Sequence, residues 1–153
     1  MQTKIEETFE IEAPIEEVWA FLMDPHRVVE CMPGGELDEV VDDNTFLGTI
    51  KLKLGFVTVS YQVEARFTEV DPNAHLARLE AKGTEAVGGK GSVHGTMQSS
   101  SRELANGATE TTVQVEMEMS GRMVEFGRGM IRSVSRQLTK KFVSCAKKNL
   151  EAN

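Results

Sequence analysis

From Val57 to Phe67 the chain alternates without a break. Val57, Val59, Tyr61, Val63, Ala65 and Phe67 fall in one phase, and Thr58, Ser60, Gln62, Glu64 and Arg66 in the other. A two-residue period places these sets on opposite faces of a β-strand, one buried and one wet. Such a strand needs an antiparallel sheet, and the sheet's apolar face needs a cover. The chain offers one element long enough to supply it. Near the C-terminus Met130, Val134, Leu138 and Phe142 recur every fourth residue. Arg128, Arg132, Arg136 and Lys140 recur with the same spacing two residues away, roughly 200° around a helix. The spacing predicts a helix over 122–150, on the order of 40 Å long, with its greasy stripe on the sheet and its cationic stripe outward.

The rest of the chain fits this plan. "TFEIE" opens with a strand whose phase holds Ile5, Phe9 and Ile11. "APIEEVWAFLMD" reads as a helix, with Pro14 in its first turn and Glu16 and Glu17 where the dipole favours negative charge. Asp24-Pro25 ends it, and "HRVVECM" forms a second short helix stopped by Pro33-Gly34-Gly35. Six strands follow, with turns at Asp42-Asp43-Asn44 and Asp71-Pro72-Asn73. The expected fold is α+β: a curled antiparallel sheet of about seven strands wrapped on a long C-terminal helix, with two short helices after strand one. The whole of 1–153 reads as a single domain, without an internal repeat or a low-complexity segment.

Charge narrows the partners. The net charge of −7 divides unevenly: Met1–Gly121 carries nine basic and 22 acidic residues, Arg122–Asn153 eight basic and two acidic. The acidic body repels phosphate over most of its surface, which argues against nucleic acid. The basic stripe is a solvated face balancing an acidic neighbour, or a contact for anionic headgroups or an acidic partner. No apolar run reaches the roughly 20 residues of a membrane span, and "MQTKIEETFEIEAP" lacks the pattern of a secretory signal. Cys31 and Cys145, without metal-ligand spacing, are expected as reduced thiols in a cytoplasmic protein.

Catalytic patterns are sparse. "GTEAVGGKGS" lacks the Gly-Lys-Ser/Thr order of a phosphate loop. His26, His75 and His94 have no ligand-like spacing and no cysteine partner. Tyr61 is the one polar group in a clearly buried phase, with His75 a second candidate.

A long helix cannot follow a curled sheet along its whole length. The filler is small: aromatic residues are 6% of the chain, and Gly48, Ala65, Ala77, Ala81 and Gly95 recur on the middle strands. Met97, Met117, Met119, Met123 and Met130 gather on the last strands and the helix, where flexible thioethers adapt to a variable guest or fill irregular core space. These features predict an apolar hollow able to hold a hydrophobic ligand.

The same order of elements resembles the START-like helix-grip (SRPBCC) superfamily, and within it the CoxG family of carbon monoxide dehydrogenase subunits. The resemblance covers nearly the whole chain. It is carried by "APIEEVWAFLMDP" followed by "ECMPG", by "TFLGTIKLKLGFVTVSYQ", by "GGKGSVHGTM" and by "SGRMVEFGRGMIRSVSRQLTKKF". The family is associated with molybdenum-containing carbon monoxide dehydrogenases and is thought to link them to the membrane and its quinone pool. The resemblance therefore implies a non-catalytic carrier, without a covalent cofactor or metal, that holds a quinone or other lipid. Its partners would be a molybdenum hydroxylase and, transiently, the cytoplasmic face of the inner membrane. Many members continue into a proline-rich or apolar tail, whereas this sequence stops at Glu151-Ala152-Asn153.

The expected cavity lining is Tyr61, Val63, Phe67, Val93, Met97, Met117 and Met119 from the sheet and Met130, Val134 and Leu138 from the helix. Val29 and Met32 form a gate hinged at Pro33-Gly34-Gly35. Arg128, Arg132, Arg136 and Lys140 are the expected membrane or partner contact. Two other readings stand beside the carrier: a cyclase- or dehydratase-like enzyme of the same superfamily, and a structural adaptor with a packed core.

Overall fold

The computed structural model describes residues 1–86 and 91–151. Strand β1 (Gln2–Ile11) leads into helices α1 (Ile15–Leu22) and α2 (Pro25–Glu30). Six strands follow: β2 (Gly35–Val40), β3 (Thr45–Leu54), β4 (Val57–Asp71), β5 (Leu76–Glu85), β6 (Ser92–Glu103) and β7 (Thr109–Ser120). The chain closes with a short turn of helix α3 (Arg122–Glu125) and the long helix α4 (Gly127–Leu150). The strands form a seven-stranded sheet in the order β1-β7-β6-β5-β4-β3-β2, with every neighbouring pair antiparallel. This is the expected α+β helix-grip architecture.

Local chemistry sets the boundaries. Asp24 caps α2 by accepting from the amides of His26 and Arg27. Asp42 Oδ1 accepts from the Asn44 amide at 2.8 Å and shapes the β2–β3 turn. The expected C-terminal helix is broken once. Phe126 ends α3, and Gly127, the first residue of α4, takes a φ of 76°. Gly121, just before α3, has a φ of 87°, and a side chain there would meet the Gly91 backbone 2.4 Å away, so the strand-to-helix join requires glycine. Part of the "GTEAVGGKGS" and "GGKGSVHGTM" stretches, residues 87–90, lies outside the described residues.

The sheet curls. Its longest strand, β4, shifts register between Phe67 and Glu69, and an extra residue of this kind bends a strand and increases its twist. Two packed clusters result. Near the C-terminal end of α4, Ile11, Val18, Phe21, Cys31 and Ala146 close one core. At the other end Leu54, Val59, Tyr61, Met119, Met123 and Ile131 close a second. Ile131 and Ala146 are the buried residues of α4, separated by about 22 Å of helix. The helix is thus clamped near both ends and spans a gap between them.

Cys31 and Cys145 form a disulfide. This corrects the expectation of reduced thiols. The bond joins the residue that caps α2 to the last turns of α4, a proximity that a separation of 114 positions conceals. The cysteine-based ground for a cytoplasmic location falls with it, because disulfides persist mainly in oxidising compartments. Among the described residues no helix is long and apolar enough to cross a membrane.

A candidate ligand cavity between the sheet and the long helix

The gap under α4 is a cavity of about 500 Å³. Its floor is the concave face of the sheet. At the centre, β5 contributes Ala77, Leu79, Ala81 and Gly83, and β6 adds Gly95. All of these but Leu79 are small, so they leave the space that larger side chains would fill. Along the roof run Ile131, Val134, Leu138 and Phe142 of α4. Leu22 and Met23 from the end of α1, Val28 from α2, and the Met32-Pro33 turn wall one side. The lining is almost wholly apolar, and the volume lies within the range of small-molecule sites.

Most expected lining residues surround this cavity: Met32, Tyr61, Val63, Phe67, Val93, Met97, Met117, Met119, Val134 and Leu138. Two do not. Met130 is 40% exposed and lies outside the lining. A row of every fourth residue advances about 40° per step, so Met130 is turned about 80° from Leu138. Ile131 takes its place on the inward face and is buried. Val29 also lies outside the lining; it flanks Gly35, with Cγ1 3.7 Å from the position a side chain there would take. The wall of α2 is formed by Val28 in its stead. Of the small residues expected on the floor, Gly48 and Ala65 fall outside it as well.

His75 has no place in the cavity either. It sits in the β4–β5 turn with a φ of 52°, its Nε2 lies 2.7 Å from Glu16 Oε1, and its ring meets Trp19 edge to face. It ties α1 to a turn. Tyr61 is buried and lines the cavity.

Among the lining residues that were not expected is one carboxylate. Glu7 lies between Ile5 and Phe9 on β1 and lines the cavity with them. The alternation Ile5, Glu7, Phe9 places it on the inward face, so the signal is present in the sequence. Glu7 also borders a smaller cleft of about 160 Å³ between β1 and α4, with Lys4, Glu6, Arg132 and Arg136. It therefore stands at the seam between the cavity and the basic row. Arg128 Nε donates to the Gln2 carbonyl at 3.3 Å. The row follows the acidic flank of β1 for part of its length. A second carboxylate, Glu85, is 6% exposed and stands opposite Tyr61 in the β4–β5 ladder. Its Oε1 has no hydrogen-bond partner among the described residues.

A curled antiparallel sheet gripping a long helix across an apolar hollow is the START-like helix-grip fold. The chain belongs to the CoxG family of carbon monoxide dehydrogenase subunits, whose model matches residues 8–151. Solved structures share the fold. A conserved protein from Geobacillus kaustophilus superposes with a TM-score of 0.85 at 22% identity, over 96% of this chain and 94% of its own. A START superfamily protein from Mycobacterium smegmatis gives 0.66 at 10% identity, over 97% of each chain. The Zhui aromatase/cyclase from a Streptomyces species gives 0.66 at 14%, over 100% of this chain and 99% of its own. No functionally curated protein matches the sequence.

Proposed function

We propose that this protein carries a hydrophobic small molecule, a quinone or another lipid, in the cavity beneath α4 without transforming it. In doing so it links a molybdenum-containing carbon monoxide dehydrogenase-type enzyme to the membrane. One observation carries the reading. A helix buried at Ile131 and Ala146 spans an apolar hollow of about 500 Å³ between them, and a space of that size and polarity suits an oily guest. Membership in a family named for a component of carbon monoxide dehydrogenase supports the partner. Arg128, Arg132, Arg136 and Lys140 are the proposed contact with that partner or with anionic headgroups. The lining residues Met32, Val63, Met97, Met117, Val134 and Leu138 are proposed to touch the cargo, with Tyr61 able to donate to a carbonyl on it.

The test is organic extraction of the purified protein followed by mass spectrometry, together with titration of quinone analogues in solution. A co-purified isoprenoid quinone or lipid, or saturable analogue binding, is the expected result. An empty protein that binds no analogue overturns the carrier. The size of the hollow speaks against an adaptor with a packed core.

Glu7 favours a second reading, an enzyme of cyclase type, since it gives the cavity a carboxylate in addition to the Tyr61 phenol. The two come from strands separated by three others in the sheet, so they are not neighbours on one strand pair. Turnover of a polyketide-like substrate, lost in Glu7→Gln and Tyr61→Phe, would establish that reading against the carrier.

A further inference from the structure

The β3–β4 hairpin turns through two residues, Gly55 and Phe56, between the paired Leu54 and Val57. Gly55 supplies the positive φ, 67°, that a tight two-residue hairpin turn places on glycine. The turn makes no comparable demand on Phe56. Yet Phe56 is an aromatic side chain fully exposed to solvent, at 109% of its reference area. A ring in that position adds nothing to the core.

Its surroundings are unusual for so acidic a chain. From Asn44 to Val63 there is no acidic residue, although 24 occur in the whole sequence. Lys51 and Lys53 are exposed on the outer face of the hairpin, paired across to Ser60 and Thr58. The start of the C-terminal helices lies at the same end, because Met123, Phe126 and Ile131 pack in one cluster with Leu54 and Val57. Val124 and Met130 are exposed there, beside the exposed Arg128 and one acidic residue, Glu125.

We infer that this end of the molecule docks on an anionic lipid bilayer, with Phe56 entering the interfacial layer and Lys51, Lys53 and Arg128 at the headgroups. Aromatic rings favour that layer, basic side chains gain from anionic lipid, and reversible anchoring depends on both signals together. A single projecting ring on a basic tip gives a protein partner little surface to cover, whereas a bilayer needs only depth. The inference rests on the carrier reading for its purpose. Leu52, Leu54, Met123 and Ile131 of this end also line the cavity, so docking would bring that end of the cavity to the source of its cargo.

The experiment is co-sedimentation of the full chain with vesicles of phosphatidylcholine alone and of phosphatidylcholine mixed with phosphatidylglycerol. The wild type should bind the anionic vesicles, bind the neutral ones weakly, and detach as salt rises. Phe56→Ser, and separately Lys51→Glu with Lys53→Glu, should each lower the bound fraction about tenfold with an unchanged melting temperature. Phe56→Trp should gain emission that brominated lipids quench, unlike the largely buried Trp19. Failure of the wild type to bind anionic vesicles, or binding indifferent to Phe56→Ser, overturns the inference. So does a concentration-dependent dimer abolished by Phe56→Ser, which would assign the tip to a second copy. Titration of quinone analogues without vesicles reads the cargo separately: intact cargo binding with no vesicle binding removes the docking alone, and the converse removes the carrier alone.

Discussion

Cys31 at the end of α2 is bonded to Cys145 near the end of α4, with their Cα atoms 5.4 Å apart. The bond sits in the packed cluster that closes one end of the molecule, with Ile11, Val18, Phe21 and Ala146. It fastens the short helix that walls the cavity to the helix that roofs it. Closing a loop of 114 residues restricts the unfolded chain strongly, so Cys145→Ser should lower stability by about 2–4 kcal/mol. Urea unfolding with and without a thiol reductant measures this. A thiol reagent should find no reactive cysteine in the untreated protein and two after reduction, and two reactive thiols without reductant would refute the bond.

Leu138 and Phe21 distinguish a hollow from a core. Phe21 is 0% exposed within the closed cluster, and Phe21→Ala should cost about 3–5 kcal/mol. Leu138 is half-buried and faces the cavity. Part of its surface already lacks neighbours, so Leu138→Ala should cost about 1 kcal/mol, below the usual range for packed leucine. Equal losses in a urea series would mean that the space under α4 is filled.

Gly83 offers a plug. A side chain there would meet Val63 and Tyr61 at ordinary contact distances of 3.5–3.6 Å, and the residue lines the cavity floor. Gly83→Phe should therefore fold, since the ring projects into free space and suits a strand better than glycine does. Uptake of quinone analogues should fall by about tenfold or more, equivalent to roughly 1.4 kcal/mol. Fluorescence titration reads the loss, and undiminished uptake would place the cargo elsewhere.

Glu7 tests what the cargo brings with it. If the guest is apolar along the β1 side, Glu7→Gln should leave analogue binding within about threefold, less than the loss of a hydrogen bond to a charged group. A larger drop in a calorimetric titration would show that the cargo donates a hydrogen bond to this carboxylate.

Much of the fold is legible because strand and helix periodicities act locally. The alternation Val57–Phe67 becomes β4, and its Tyr61, Val63 and Phe67 line the hollow. Glu7 is equally legible from its phase between Ile5 and Phe9, but a carboxylate there resembles the solvent-facing acids around it. Met130 is misplaced for a geometric reason: a fourth-residue row drifts around a helix, and over two steps it leaves the face it began on. Glu85 is not legible, since its burial depends on Gly91 packing against it across the strand ends.

By itself the sequence determined the order of elements, the antiparallel sheet, the amphipathic helix and the family, because each follows from spacing within a short segment. The tertiary structure decided what spacing cannot carry. It decided that α4 is buried near its two ends and bridges a void between them, that cysteines 114 positions apart meet, and that a glycine-led turn leaves Phe56 fully exposed. Those outcomes depend on how far a bent sheet stands from a long rod, a distance set by the whole fold at once.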